Sequence, residues 1–356
     1  MRLIVAGIAV LLVAGCGSTP KPGGSTASPS GTASGSTSNA SSAAPASTLD
    51  LEVTYQKVIS QVLPSIVQIN TKTGLGSGVV FDSSGHIITN AHVVGQATEM
   101  EVSLATGGTS RKAKLISSFP AGDLAVIKVE DPTDLRPATF GDSAKLQVGQ
   151  LVLAMGNPLG LSGSVTNGIV SALGRTVSEP QDPGSPGATI SGAIQTSAAI
   201  NPGNSGGALV DMSGQVIGIP TLAATDPELG GGAAPGIGFA IPSNTASDIA
   251  TQIVQSGKVT NSHRAALGIR GRTVLGDNGQ PQGVAVASVE PGGAAAKAGI
   301  RTGDVIVSVN GTPTPTMSDL SELLTELKPG DQAKVEVIRA NGKTETVTVT
   351  LGELKA

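Results

Sequence analysis

The amino-acid sequence predicts a mainly β protein that ends in a smaller α+β domain. Three observations predict it. Short Val- and Ile-rich runs follow one another from about residue 65 to residue 240, many separated by Gly, Pro, Asp or Asn, the mark of short strands joined by turns. No long helical periodicity alternates with them, which favours a sandwich or barrel over a doubly wound sheet. Beyond residue 264 the pattern changes, and strand-like runs flank a helix with a distinct apolar face.

Taken in order, residues 53–63 read as a helix closed by Pro64. Strands are expected at 65–70, 78–82, 86–89, 101–104, 113–117, 124–129, 151–155, 165–172, 216–219 and 236–240. In the C-terminal part, 284–289, 304–310, 334–339 and 344–351 read as strands. The alternating Val305, Val307 and Val309 mark a half-buried one. Thr316 to Asp319 opens a helix with a capping-box pattern. Leu320, Leu323, Leu324 and Leu327 fall on one face of it, and Pro329-Gly330 stops it.

Composition narrows the function classes. The 356 residues carry a net charge of −4, from 22 basic and 26 acidic side chains, with no basic block. A nucleic-acid binder needs a concentrated positive face, so none is expected. One Cys excludes an internal disulfide and a multi-Cys metal site. With four Phe, one Tyr and no Trp, the core must be built from Val, Ile, Leu and Ala.

The N-terminal segment reads as an address. Arg2 precedes an apolar run from Leu3 to Val13, too short to span a bilayer and suited to the apolar region of an export signal. The run ends in Val13-Ala14-Gly15-Cys16, which resembles a bacterial lipobox and implies a signal peptide at 1–15, cleavage, and lipidation of Cys16, the chain's only Cys. Residues 17–48 include 15 Ser or Thr, the rest Gly, Ala, Pro, Asn and one Lys. They have nothing to bury and are expected to stay disordered, making 16–50 a tether to the membrane.

Three stretches carry chemistry, in the order His, Asp, Ser. Ser205 lies in Gly203-Asn204-Ser205-Gly206-Gly207. A serine hydroxyl needs a neighbouring base to become a nucleophile, and the glycines allow a tight turn that brings backbone N–H groups to the reacting carbonyl. The same five residues fit the G-x-S-x-G elbow of α/β-hydrolases, but that family places its acid and then its His after the Ser. Here His263 is the only later His, in a linker-like stretch. His92 is the candidate base; His86, beside Gly85, reads as surface. Asp123 leads straight into the apolar run 124–129 and is the candidate acid that orients the imidazole. Asp131, Asp134, Asp142 and Asp182 sit beside Pro or in polar turns and read as solvated. No H-E-x-x-H motif supports a metalloprotease, and no metal or organic cofactor is called for.

Thr89-Asn90-Ala91-His92-Val93-Val94, Gly122-Asp123-Leu124-Ala125-Val126-Ile127-Lys128-Val129 and Gly203-Asn204-Ser205-Gly206-Gly207-Ala208-Leu209 together resemble the HtrA (high-temperature-requirement) family of serine proteases. Gly74–Gly78, Met155–Gly160, Gly168–Arg175 and Gly236–Asn244 agree with it. The resemblance implies a chymotrypsin-like double β-barrel over 51–258, with the site in the cleft between the barrels. It implies His92, Asp123 and Ser205 as the triad, and the backbone N–H groups of Gly203 and Ser205 as the oxyanion hole. Ser197, Ala208 and Pro220 depart from the usual pattern. Pro220 is expected to end the strand 216–219, while Ile200 and Ile219 suggest an apolar substrate pocket.

The C-terminal order of elements resembles a PDZ domain, here 264–354. The resemblance implies that the N–H groups of Leu267, Gly268 and Ile269 receive a peptide's C-terminal carboxylate, the peptide adding a strand to an open sheet edge. Together these readings describe an exported, lipid-anchored serine endopeptidase of the cell envelope that degrades misfolded or unfolded polypeptides. The family implies a homotrimer, with Tyr55 the aromatic available for it. The rivals are a PDZ adaptor and a holdase chaperone carrying a dormant protease domain.

Overall fold

A computed structural model describes residues 46–72, 74–157, 163–179, 187–201, 203–226, 232–276 and 278–355. The export-signal, Cys16 and tether readings lie outside the described residues, as does most of 17–48. A helix α1, Ala46–Val62, opens the fold. It starts seven residues before the expected Val53 and takes in the end of the stretch read as disordered. Val58 and Val62, nearly fully buried, anchor its far end.

Six strands then close a first barrel: β1 Ile66–Asn70, β2 Leu75–Val80, β3 His86–Thr89, β4 Glu99–Leu104, β5 Arg111–Phe119 and β6 Leu124–Val129, in spatial order β1-β2-β3-β6-β5-β4. One helical turn, α2, Ala91–Val94, follows β3. A second barrel repeats the plan with β7 Leu151–Gly156, β8 Ser164–Glu179, β9 Ala188–Thr196, β10 Ala208–Asp211, β11 Val216–Asp226 and β12 Gly232–Pro242, in the order β10-β11-β12-β9-β8-β7. Sequence reading missed β9 and β10. β10 is only four residues long, and β9 carries two glycine-flanked small residues where a β-branched run was sought.

Pro220 does not end its strand. β11 runs through it, with Pro220 opposite Ala240 and a bulge immediately after. A proline is tolerated where ladder pairing is already irregular. Its carbonyl still serves, accepting the Gly206 N–H at 2.9 Å. His86 is not simply surface either. Its Nδ1 lies 2.6 Å from Asp82 Oδ2, and its side chain is 13% exposed.

Each barrel has its own aliphatic filling, and a larger core joins them. Ile66, Val79 and Ile88 from the first barrel pack in one cluster with Leu153, Met155 and Val210 from the second. The helix α3, Ser243–Ser256, closes this joint. It follows β12 yet packs on β3, β5 and β6 as well as on β11. Fully burying each such Val, Leu or Ile contributes about 1.5–3 kcal/mol, so the joint is stabilised by the same aliphatic burial as the barrel interiors.

The C-terminal part holds β13 Ala265–Ala266, β14 Ile269–Leu275, β15 Pro281–Val289, α4 Ala294–Lys297, β16 Val305–Val309, β17 Thr312–Pro313, α5 Met317–Thr325, β18 Gln332–Ile338, β19 Thr344–Thr350 and β20 Gly352–Glu353. Its main sheet runs β14-β15-β16-β18-β19, so β14 is an edge strand. The expected capping box is present: Thr316 Oγ1 accepts the Asp319 N–H at 3.1 Å, and Asp319 Oδ2 accepts the Thr316 N–H at 2.9 Å. Leu320 is fully buried in the core under α5.

Candidate active site

The three chemistry-bearing stretches meet between the barrels. Asn90 sits at the N-cap of α2, and His92 follows on its single turn. Asp123 comes directly after the 3₁₀ turn Pro120–Gly122 and has left-handed backbone, φ +51°. That conformation is costly for a non-glycine residue and persists only where the surroundings enforce it. Here Asn90 Nδ2 donates to the Asp123 carbonyl at 2.9 Å, holding the turn from the first barrel's other motif.

The Asp123 carboxylate is 2% exposed and accepts from three donors. The His92 N–H reaches Oδ1 at 3.0 Å, and His92 Nδ1 lies 2.9 Å from Oδ2. Because a carboxylate only accepts, Nδ1 carries the proton and Nε2 is the ring's basic position. The third donor is the Thr221 hydroxyl, on β11, which bonds Oδ2. Thr221 also ties in the nucleophile: its carbonyl accepts the Ser205 hydroxyl at 3.1 Å. His92, Asp123, Thr221 and Ser205 thus form one hydrogen-bonded chain of side and main chain across the joint.

The turn around Ser205 is fixed peptide by peptide. Asn204 N–H donates to the Asn201 carbonyl at 3.1 Å, and Gly207 N–H to the Asn204 carbonyl at 3.0 Å. In a trans peptide the carbonyl and the following N–H point opposite ways. With the Asn204 carbonyl turned inward, the Ser205 N–H faces the other side. The Ser205 carbonyl accepts the Ser77 N–H at 3.0 Å. Among the described residues, neither the Gly203 nor the Ser205 N–H donates a hydrogen bond. The glycines are needed sterically. Gly206 has φ +80°, and a Cβ there would lie 2.3 Å from the Ser77 carbonyl oxygen; at Gly207 it would lie 2.1 Å from that of Met155.

Ile219 is fully buried in the joint between the barrels and Ile200 is 5% exposed in the second barrel's core. Thr221 was not singled out from the sequence. A threonine in a strand carries no motif, and its partner Asp123 is 98 residues away.

A second candidate site lies in the C-terminal part, a groove of about 980 Å3 between β14 and α5 lined by Leu267, Gly268, Ile269, Leu320 and Leu324. The Leu267 carbonyl accepts Ala295 N–H at 2.8 Å and the Gly268 carbonyl accepts Glu290 N–H at 2.9 Å. By the same reasoning, the N–H groups of Gly268 and Ile269 turn the other way, toward the open edge of β14. Arg264, Arg270 and Arg272 line the groove too, beside Ala121 and Thr189 of the barrels. Burial lowers the Arg264 pKa to about 10, which leaves it charged at neutral pH. It donates to the Ala121 carbonyl at 2.6 Å. Among the described residues no group of three or more His, Cys, Asp or Glu side chains gathers as metal ligands do.

Two family models match the chain, a trypsin-like peptidase domain over residues 76–219 and a PDZ domain over 252–351. A crystal structure of a serine endoprotease from Yersinia pestis is 34% identical, with a TM-score of 0.55, covering 85% of this chain and 98% of that one. The chain belongs to the HtrA-type serine proteases. Another HtrA-type protease, AlgW with a bound decapeptide, is 30% identical with a TM-score of 0.55 over 85% of this chain and 99% of the other. Among curated relatives, the periplasmic pH-dependent serine endoprotease DegQ of Escherichia coli K12 is 41% identical over 288 residues, 78% of this chain and 59% of DegQ. Protease Do-like 1, chloroplastic, of Arabidopsis thaliana is 43% identical over 294 residues, 78% and 63% of the two chains. The chain spans about 56–63% of the length of curated HtrA relatives that it matches.

Proposed function

We propose that this HtrA-type chain is an exported, lipid-anchored serine endopeptidase that cuts unfolded polypeptides with His92, Asp123 and Ser205. The observation that carries the reading is the hydrogen-bonded chain from His92 through Asp123 and Thr221 to Ser205. In the reaction, His92 Nε2 takes the Ser205 proton as Oγ attacks the scissile carbonyl. The oxygen that gains charge is met by the Gly203 and Ser205 N–H groups. The imidazolium, stabilised by Asp123, returns its proton to the leaving amine. Water then attacks the acyl-enzyme by the same steps in reverse. Casein cleavage and fluorophosphonate labelling, both lost on Ser205→Ala, test it; no labelling of the native protein favours the adaptor or holdase reading.

The working parts in this reading are 1–15 as signal peptide, 16–50 as tether, 51–258 as peptidase and 264–354 as PDZ domain. Lipidation at Cys16 holds it to the cell envelope. Tyr55 packs into its own core, so the copies of a homotrimer meet through α1, where Leu49, Leu51 and Val53 are exposed. Cys16→Ala is expected to leave the membrane fraction and to sediment as a trimer. A variant that stays with membranes rules out the anchor, and one that sediments as a monomer rules out the assembly.

The groove takes the C-terminus of a polypeptide as an added strand on β14, with its carboxylate on the Leu267, Gly268 and Ile269 N–H groups. Three arginines line it, so acidic residues just upstream are favoured. A peptide with an apolar last residue and upstream Glu is expected to bind about tenfold more tightly than its Lys counterpart, a gap that closes in high salt. Amidating its C-terminus should abolish binding in a fluorescence-anisotropy titration. Equal affinity of acid and amide would remove the carboxylate role.

A further inference from the structure

Ser77, on β2, is fully buried and lies across the barrel joint from the nucleophile turn. Its main chain and side chain do different work there. The Ser77 N–H donates to the Ser205 carbonyl at 3.0 Å, a bond any residue supplies. The hydroxyl donates to the Gly203 carbonyl and accepts the Asn157 N–H, from the end of β7, at 2.8 Å. One donor and one acceptor are thus both in use, between two segments of the second barrel. The Thr89 hydroxyl, one residue before the N-cap of α2, donates to the Ser77 carbonyl at 2.7 Å, so Ser77 is itself held in place.

The hydroxyl controls one peptide unit. The Gly203–Asn204 peptide lies between the two N–H groups assigned to the oxyanion. Its N–H is held by Asn201 and its carbonyl by Ser77. A glycine on one side of a peptide offers little steric resistance to rotation of that unit, so its orientation depends on those two bonds. Removing the hydroxyl leaves the Gly203 carbonyl and the Asn157 N–H without these partners in a buried setting, which favours rearrangement to find new ones. The unit links the two peptides that carry the Gly203 and Ser205 N–H groups, so a rearrangement of the turn that satisfies the freed carbonyl displaces those N–H groups from a common point.

We propose that Ser77 is a positioning residue for the reaction: its hydroxyl orients the Gly203–Asn204 peptide so that the N–H groups of Gly203 and Ser205 converge on the developing oxyanion. This rests on the serine-protease reading above. Preorganised donors act on the transition state more than on bound substrate. The expected signature is therefore a fall in kcat with KM held.

The test uses full-length protein with fluorescein-casein, counting active molecules by fluorophosphonate titration. Ser77→Ala keeps the main-chain bond to Ser205 and is expected to lose roughly 30- to 100-fold in kcat per folded molecule, with KM changed less than threefold. Its affinity for a peptide boronate, a tetrahedral mimic, should fall by about the same factor as kcat. Ser77→Thr, which restores a hydroxyl, should recover most of the loss. Hydrogen exchange at Asn157 should quicken in Ser77→Ala alone. A folded Ser77→Ala with kcat within threefold of the native protein overturns the proposal. So does a folded Ser77→Thr as impaired as Ser77→Ala, or a loss of rate matched by loss of folded protein. A native protein without any cleavage or labelling overturns the protease reading first, and this proposal with it.

Discussion

Ser205→Ala is expected to remain folded and to cut casein about a millionfold more slowly, beyond ordinary detection. The variant loses the hydroxyl's bond to the Thr221 carbonyl, but the turn keeps its main-chain, Ser77 and Asn204 side-chain bonds, so the melting temperature should move little. Asp123→Asn separates the network from the nucleophile. The native carboxylate accepts from the His92 N–H, His92 Nδ1 and the Thr221 hydroxyl. An amide has one acceptor oxygen and an NH2 that donates. One native donor is then faced by another donor, and His92 is pushed to the tautomer with its proton on Nε2. That ring no longer accepts the Ser205 proton, and kcat should fall by about 10,000-fold. Casein kinetics with a thermal melt of each variant decides it. Full activity in either folded variant would refute the triad.

Gly207→Ala carries the second large effect. A methyl there would sit 2.1 Å from the Met155 carbonyl oxygen and 3.0 Å from that of Asn204. Both are backbone atoms, so no side chain can swing aside. Relief requires shifting either the end of β7 or the turn that carries Ser205. The variant is expected to lose fluorophosphonate labelling although Ser205 is intact, and to melt several degrees lower. Gly74→Ala, whose added carbon meets nothing within 4 Å, is the matched control and should label normally. Normal labelling of Gly207→Ala would show that the turn tolerates more movement than its packing implies.

Much of this molecule was readable in the chain. The strands at 86–89 and 124–129 came out at their expected limits, because β-branched runs there end in clear turn residues. The His, Asp and Ser motifs were legible because each pairs a reactive side chain with a local pattern of Gly or apolar residues. What escaped was settled at long range. Ser77 and Thr221 are common strand residues whose roles come from partners 126 and 98 positions away. The start of α1 was missed because Ala, Ser and Thr at its head carry no periodic signal.

The shared core between the barrels has a further consequence for the order in which the chain becomes competent. Neither half holds a working set of groups: His92 and Asp123 belong to one barrel, Ser205 and Thr221 to the other, and they meet only once Val79, Met155 and their neighbours have closed the joint. A copy whose two barrels have not yet docked therefore lacks the proposed triad. The proposed site comes into being only with the final docking of the two barrels.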